Sequence, residues 1–400
     1  MDRTFWQAGH RPTLVSAFLY FDLSFMAWYL LGPLQVPIAA ALQLSTQQRG
    51  LMVATPILAG ALLRPLMGML VDRIGARRAG LLGQIVVIAA LLGAWLADLS
   101  SLGGMLALGP LLGVAGASFA AALPLASRWY PPQHQGTALG IAGAGNSGTV
   151  LAALFAPALA AAFGWRNVFG LACLPLLLVL AIYAVWAREA PAAAGPKRLS
   201  DYLSVLKEKD AWWFMFFYSM TFGGFAGFAG ALPGYFHDQF GFDAKTAGLY
   251  TAASVFAGSV MRPLGGMLAD RMGGTRSLLA VYLACALLMA AAALNAGGAG
   301  AALALFVLAM LCLGAGNGAV FQLVPQRFGR ELGVMTGLVG MAGGIGGFLL
   351  AAGLGAVKQA SGDYAPGLWL FAGLCLLAWL SLAGVQRHWR DNWAVAAARV

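Results

Sequence analysis

"LLRPLMGMLVDRIGARR" (Leu62–Arg78) and "VMRPLGGMLADRMGGTR" (Val260–Arg276) are two versions of one segment, 198 residues apart in a chain of 400. From Arg64 to Arg78 and from Arg262 to Arg276, ten of fifteen positions are identical: Arg, Pro, Leu, Gly, Met, Leu, Asp, Arg, Gly and Arg. A second echo relates "GASFAAALP" (Gly116–Pro124) to "GAVFQLVP" (Gly318–Pro325), and a third relates the glycine rows at Gly136–Gly148 and Gly333–Gly347. Three echoes in the same order indicate an internal duplication.

The duplicated arginine lies in an apolar run, and the composition says what kind of run. Hydrophobic residues make up 60% of the chain and charged residues 10%, with 54 glycines. Ordinary soluble domains are not built this way. A stretch of about 20 apolar residues crosses the hydrocarbon core. Twelve such stretches begin near Thr13, Arg49, Ala79, Gly104, Gly136, Trp165, Ala211, Thr246, Ser277, Ala301, Gly333 and Gly367. The expectation is an all-α polytopic membrane protein with twelve transmembrane helices.

Lysine and arginine resist translocation, so their placement orients the chain. With both termini cytoplasmic, 18 of the 24 basic residues fall on the cytoplasmic side. Arg49, Arg166, Lys245 and Lys358 fall outside, and Arg64 and Arg262 fall within spans. The net charge of +10 is therefore a topology signal that suits anionic lipid, and it does not point to nucleic acid. The start, "MDRTFWQAGHRP", lacks the short apolar core of a cleavable signal and is expected to remain.

The longest polar connection, "REAPAAAGPKRLSDYLSVLKEKD", separates the sixth and seventh stretches. It divides the chain into two pseudo-symmetric six-helix bundles, 1–187 and 211–400, joined by a cytoplasmic linker at 188–210. Parallel repeats of this kind describe a secondary transporter whose substrate sits near the midplane between the bundles. The tails "DRIGARR" and "DRMGGTR" resemble the cytoplasmic loop motif of the major facilitator superfamily. In that resemblance Asp72, Arg73, Asp270 and Arg271 are gating and topology elements rather than substrate ligands.

Arg64 lies eight residues before Asp72, and Arg262 eight before Asp270, so each is about 12 Å into the membrane. Holding an arginine near the middle of a span costs roughly 2.5–3.5 kcal/mol on insertion scales, which marks it as a functional-site candidate. Two at equivalent places in the repeats would meet at the central axis. Guanidinium is planar, permanently charged and matched to planar oxyanions. Asp22 is the only acidic residue well inside a stretch, and one carboxylate cannot neutralise two arginines.

"GASFAAALPLASRWYPPQHQGTALGIAGAGNSG" (Gly116–Gly148), "GAGNGAVFQLVPQRF" (Gly314–Phe328) and "GMAGGIGGF" (Gly340–Phe348), together with the two arginines, resemble the NarK-type nitrate/nitrite porter family. The resemblance extends from Phe21 to about Leu350. It implies movement of nitrate and nitrite across a bacterial cytoplasmic membrane, by symport with protons or by exchange. Carried over by position, the substrate residues it implies are Arg64, Arg262, Asn146, Tyr218, Phe119 and Phe222. An amide at Asn146 donates without adding charge, and positive ring edges can face an anion. Without the resemblance, the aromatics read as ordinary packing.

The glycine rows let helices approach closely and suit a pocket for a very small anion. Asn317 reads as a polar packing residue. Asp22, about 14 Å along the first stretch, is either a proton-coupling group or a fixed partner of Arg64. A buried carboxylate without an opposite charge favours its neutral form.

The four cysteines, all within apolar stretches, read as packing residues, and the four histidines read as loop or tail residues. No metal-ligand spacing, phosphate loop or acid–base–nucleophile constellation is present, so neither an enzyme nor ATP drive is expected. No cofactor and no metal are expected, and a monomer is. The competing readings are a carrier for another small anion and a transporter-like nitrate sensor.

Overall fold

In the computed structural model, which describes residues 3–97, 99–190, 199–328 and 331–392, the chain is helical and has no strand among those residues. Eleven segments are long and apolar enough to cross a membrane. They are Arg11–Leu42, Thr46–Ile74, Ala76–Leu96, Leu102–Ser127, Ala138–Phe163, Trp165–Trp186, Lys209–Phe240, Gly274–Ala293, Gly298–Arg327, Gly333–Ser361 and Ala365–Trp389. Ala244–Met272, a 29-residue helix, supplies the remaining expected segment. Its arginine and its many small polar residues lower its hydropathy. It lies against Gly148–Phe163, Lys209–Phe240 and Gly298–Arg327, so its polar side is met by protein. In chain order it is the eighth span, and the twelve expected stretches are thereby accounted for.

Of the expected linker at 188–210, residues 191–198 lie outside the described residues. The described part contains a short helix, Leu199–Val205, packed against the eleventh span.

The repeated motif does the same local work in both copies. Each "DR-x-G" ends a long helix on a glycine, Gly75 at φ +90° and Gly273 at φ +95°, and the next helix starts at once. Side chains with a Cβ rarely adopt that backbone conformation, so glycine is what permits a one-residue turn between spans.

The repeats differ in their interruptions. The first span breaks at Tyr29–Leu30 into Arg11–Trp28 and Leu31–Leu42. The fourth breaks at Ala117–Ser118, between Leu102–Gly116 and Phe119–Ser127. The fifth runs as Pro132–Gly143, a tight 3-10 turn at Ala144–Ser147, and Gly148–Phe163. In the second repeat the seventh, tenth and eleventh spans are unbroken helices of 32, 30 and 30 residues. Broken helices at mid-depth are stable only where protein or a polar cavity meets the freed backbone groups.

Spans 1–6 meet spans 7–12 chiefly through second against eleventh, fifth against eighth and first against seventh. The second–eleventh contact is made by small residues: Gly50 meets Gly355, and Ala61 meets Gly344. These contacts run from the Arg49 end of the bundle inward to the level of Arg64. Toward the Asp72 end, Phe119–Ser127 and Pro132–Gly143 have no substantial packing with spans 7–12 among the described residues. Among the described residues the two halves are thus packed closely at one end and more openly at the other, where Phe119 still reaches Phe321 and Arg262.

Histidine placement differs from the loop-or-tail expectation. His134, His237 and His388 lie in helices, because the fifth, seventh and twelfth helices extend beyond their apolar stretches. None of the three is at mid-span. Cys173, Cys285 and Cys375 are buried and Cys312 is half-buried, all four as free thiols in helices.

Candidate functional site

Arg64 is 3% exposed, in the second span. Its Nη1 donates to the carbonyl oxygen of Gly340 at 2.5 Å and its Nε to that of Gly116 at 3.3 Å. Both acceptors come from glycine positions that let a neighbouring backbone come close. Three rings surround the guanidinium carbon, with centroids at 5.4 Å for Trp28, 5.4 Å for Phe119 and 5.0 Å for Phe222.

Arg262, the counterpart in the eighth span, is half-buried. Its Nη2 donates to Tyr218 Oη at 3.4 Å, and its carbon lies 5.9 Å from the centroids of both Phe119 and Phe321. The ring of Phe119 is therefore common to both guanidiniums. Among the described residues neither arginine has a carboxylate within 4.0 Å, whereas Arg49 and Arg128 each have one and Arg327 has two. Two cations on opposite repeats are held by carbonyls, a hydroxyl and ring faces, and keep unused N–H donors.

Tyr218 and Phe222 stack with centroids 5.2 Å apart, and both back onto Gly343 of the eleventh span. Asn146, in the 3-10 turn of the fifth span, is 0% exposed, and neither atom of its amide has a protein partner. That turn packs against both the first span and the helix that carries Arg262. A buried amide left without partners costs about 1–3 kcal/mol, and Asn317 of the tenth span is buried in the same way, with no partner for either amide atom among the described residues.

Asp22 is 6% exposed and accepts from Ser147 Oγ at 2.7 Å and from the backbone N–H of Gly148. It does not pair with Arg64, whose partners are the two carbonyls. Asp72 lies 3.6 Å from Arg128, while Arg73, Asp270 and Arg271 are exposed. All four are at the parted end, remote from the arginines.

A model of the major facilitator superfamily matches residues 17–351. The chain is 35% identical over 376 residues to the probable nitrate/nitrite transporter NarK2 of Mycobacterium tuberculosis (strain CDC 1551 / Oshkosh), covering 92% of this chain and 95% of the relative. It is 30% identical over 372 residues to the nitrite extrusion protein of Bacillus subtilis (strain 168), covering 92% of each. It is 33% identical over 366 residues to the probable nitrate/nitrite antiporter NarK1 of Thermus thermophilus, covering 83% of this chain and 82% of the relative. The chain belongs to the NarK-type porters of the major facilitator superfamily. The members of that family are transporters, not enzymes.

The porter also places at the site residues that the sequence reading left out. Phe321 is one, and its signal was available: in the echo of "GASF" and "GAVF" it is the counterpart of Phe119, and the two rings lie 6.4 Å apart. Trp28 is another, its Nε1 donating to the carbonyl oxygen of Pro56 at 2.7 Å.

At the sealed end of the porter, Arg49 binds the carboxylate of Asp238, with Nη1 3.0 Å from Oδ1. Tyr364 Oη donates to Asp238 Oδ2 at 2.7 Å, and Arg49 Nη2 donates to Tyr364 Oη at 3.2 Å. Gln35 Nε2 donates to the carbonyl oxygen of Gly230 at 2.8 Å. These bonds tie the first and second spans to the seventh and twelfth. Pairing between residues 189 positions apart leaves no local pattern in the sequence.

Proposed function

We propose that the porter carries nitrate and nitrite across a bacterial cytoplasmic membrane by alternating access, with one anion held between Arg64 and Arg262. The observation that carries this reading is the pair of intramembrane arginines on opposite repeats, sharing Phe119 and lacking carboxylate partners. The names of the relatives, which describe nitrate and nitrite transport, support the same substrate.

The porter works as two six-helix bundles, 1–187 and 211–400, linked at 188–210, with both termini cytoplasmic. The Arg49 end then faces outward and is closed, and the Asp72 end opens to the cytoplasm. One planar anion receives N–H donors from both guanidiniums and from Asn146, and its plane lies among the rings of Phe119, Phe222 and Phe321. Tyr218 holds Arg262 in place, and Gly343 leaves room for Tyr218 and Phe222. Asp72, Arg73, Asp270 and Arg271 act at the cytoplasmic gate. Bringing two bare guanidiniums together in low dielectric is unfavourable, and an anion between them removes that obstacle to closing the cytoplasmic end. The porter acts as a monomer, without cofactor or metal.

The test is anion flux in liposomes that contain the purified chain. Labelled nitrate should exchange against internal nitrate and nitrite and be little displaced by chloride, formate or sulfate. Equal displacement by formate or chloride transfers the site to another small anion; saturable nitrate binding with no flux transfers the protein to sensing.

A further inference from the structure

The carboxylate of Asp22 and the break in the fifth span form one unit. Asp22 sits on the first span and accepts from Ser147 Oγ and from the backbone N–H of Gly148, the first residue of Gly148–Phe163. Asn146, with its unpartnered amide, is the residue just before Ser147. The first span can lie this close because positions 145 and 148 are glycines: a Cβ at Gly145 would come within 2.9 Å of the backbone nitrogen of Asp22. Phe21, next to Asp22, stands 5.8 Å from the ring of Phe119 that the two arginines share. The carboxylate is therefore one layer behind the anion position.

No cation neutralises it by contact. The 3-10 turn, Gly148–Phe163, Leu102–Gly116 and Phe119–Ser127, all packed on the Asp22 helix, carry no titratable group. On its own helix Tyr20 stacks against Tyr183 of the sixth span, with centroids 4.7 Å apart. His134 of the fifth span packs on Phe5, and Arg77 of the third donates to the carbonyl oxygen of Ala184. Arg64 of the second span and, from across the 3-10 turn, Arg262 of the eighth are the cations at mid-span depth, while Arg11, Arg49, Asp72, Arg73, Arg78 and Arg166 lie toward the span ends.

We propose that Asp22, docked on Ser147 and Gly148 behind Asn146, is the site that takes up one proton together with each anion, making the porter a proton symporter. The proposal rests on the anion site between Arg64 and Arg262. The argument is one of charge. Two guanidiniums and one carboxylate leave mid-span charge at +1. An anion alone cancels it, and an anion plus a proton restores it, so the loaded and empty carriers cross with the same charge.

A bound anion and an ionised Asp22 repel each other, so anion binding favours proton binding, and by linkage the reverse holds to the same degree. The proton arrives from water at the parted end and goes to a carboxylate oxygen, and no other bond is made or broken. Once the anion and proton have left, ionised Asp22 offsets one of the two arginines and lets the empty site close and return. Without that negative charge the empty carrier is held, and only exchange proceeds.

The experiment uses the purified full chain in weakly buffered solution, with nitrate as the probe and a pH indicator as the readout, repeated from about pH 5 to about pH 8, where a carboxylate in a protein and bulk water can trade protons. Wild type should take up about one proton per nitrate bound. Asp22→Asn keeps acceptors for Ser147 and Gly148; it should bind nitrate with no proton uptake. In liposomes wild type should accumulate nitrate down a pH gradient, while Asp22→Asn should retain nitrate/nitrite exchange alone. Nitrate binding by wild type without proton uptake, or equal uptake in Asp22→Asn, overturns the proposal while leaving the anion site intact. A wild-type protein that binds no nitrate overturns the anion site and this proposal with it.

Discussion

Arg64 donates from Nη1 to the carbonyl oxygen of Gly340 at 2.5 Å, joining the second span to the eleventh across the two repeats. Among the described residues the side chain of its counterpart Arg262 makes one long bond, to Tyr218 within its own repeat. The duplicated arginines are thus equivalent in sequence and unequal in structure. Arg64 is tied to the backbone of the opposite repeat, whereas Arg262 is held less tightly at the proposed anion site.

That inequality separates two substitutions. Arg64→Lys and Arg262→Lys should each weaken nitrate binding by at least about tenfold, since a charge-assisted hydrogen bond contributes about 1.5–3 kcal/mol and 1.4 kcal/mol is a factor of ten. Only Arg64→Lys should also lower the thermal unfolding midpoint. Ligand titration and unfolding scans on the same preparations check both halves of the statement, and equal midpoints for the two variants would count against it.

Gly343 carries the aromatic pair. A Cβ there would lie 2.7 Å from Tyr218 Cδ1 and 3.0 Å from Phe222 Cδ1, both buried rings with little room to retreat. Gly343→Ala should therefore raise the nitrate dissociation constant several-fold while the protein still reaches the membrane in normal amount. Binding assays paired with quantification of membrane-inserted protein separate the two effects.

The Arg49–Asp238–Tyr364 cluster seals the end opposite Asp72. Asp238→Asn removes the charge from a pair in which Arg49 is 7% exposed, and an unpaired buried charge is strongly unfavourable. The variant should favour the conformation open at that end. Val53 lines the small cleft beside Arg49. A Val53→Cys reporter should react faster with a membrane-impermeant maleimide in the Asp238→Asn background than with Asp238 present. An unchanged labelling rate would remove the sealing role from this cluster.

Trp28, whose ring flanks the Arg64 guanidinium, supplies a stability test. Trp28→Phe removes the indole N–H bond to the carbonyl oxygen of Pro56, which keeps its helical donor, at a cost of about 0.5–1.5 kcal/mol. The unfolding midpoint should fall, and the fall should persist in saturating nitrate.

The span count and the duplication were legible in the sequence because membrane helices need long apolar runs and repeats leave identities. The eighth span was legible as an apolar stretch beginning near Thr246, although Arg262 and its polar neighbours lower its hydropathy. Phe321 was within reach through the repeat, as the counterpart of Phe119. Other features left no trace. The carbonyl partners of Arg64 belong to backbone and have no residue signature. The break at Tyr29–Leu30, by contrast, has a local signal in Pro33, which has no N–H for the carbonyl oxygen of Tyr29, and the break at Ala117–Ser118 directly follows Gly116. The seal at Arg49 joins residues distant in sequence. Sequence reading also left the partner of Asp22 open, because Ser147 is ordinary until the first span is laid against it.

The central claim is that one anion touches both arginines, and infrared difference spectroscopy of bound isotope-labelled nitrate tests it most directly. Free nitrate has a degenerate antisymmetric N–O stretch, which splits when its oxygens receive unequal hydrogen bonds. One nitrate should bind per chain with a single split pair, and the splitting should change in both Arg64→Lys and Arg262→Lys. A spectrum unaltered by either substitution, or two bound nitrates that are lost one at a time, would contradict it.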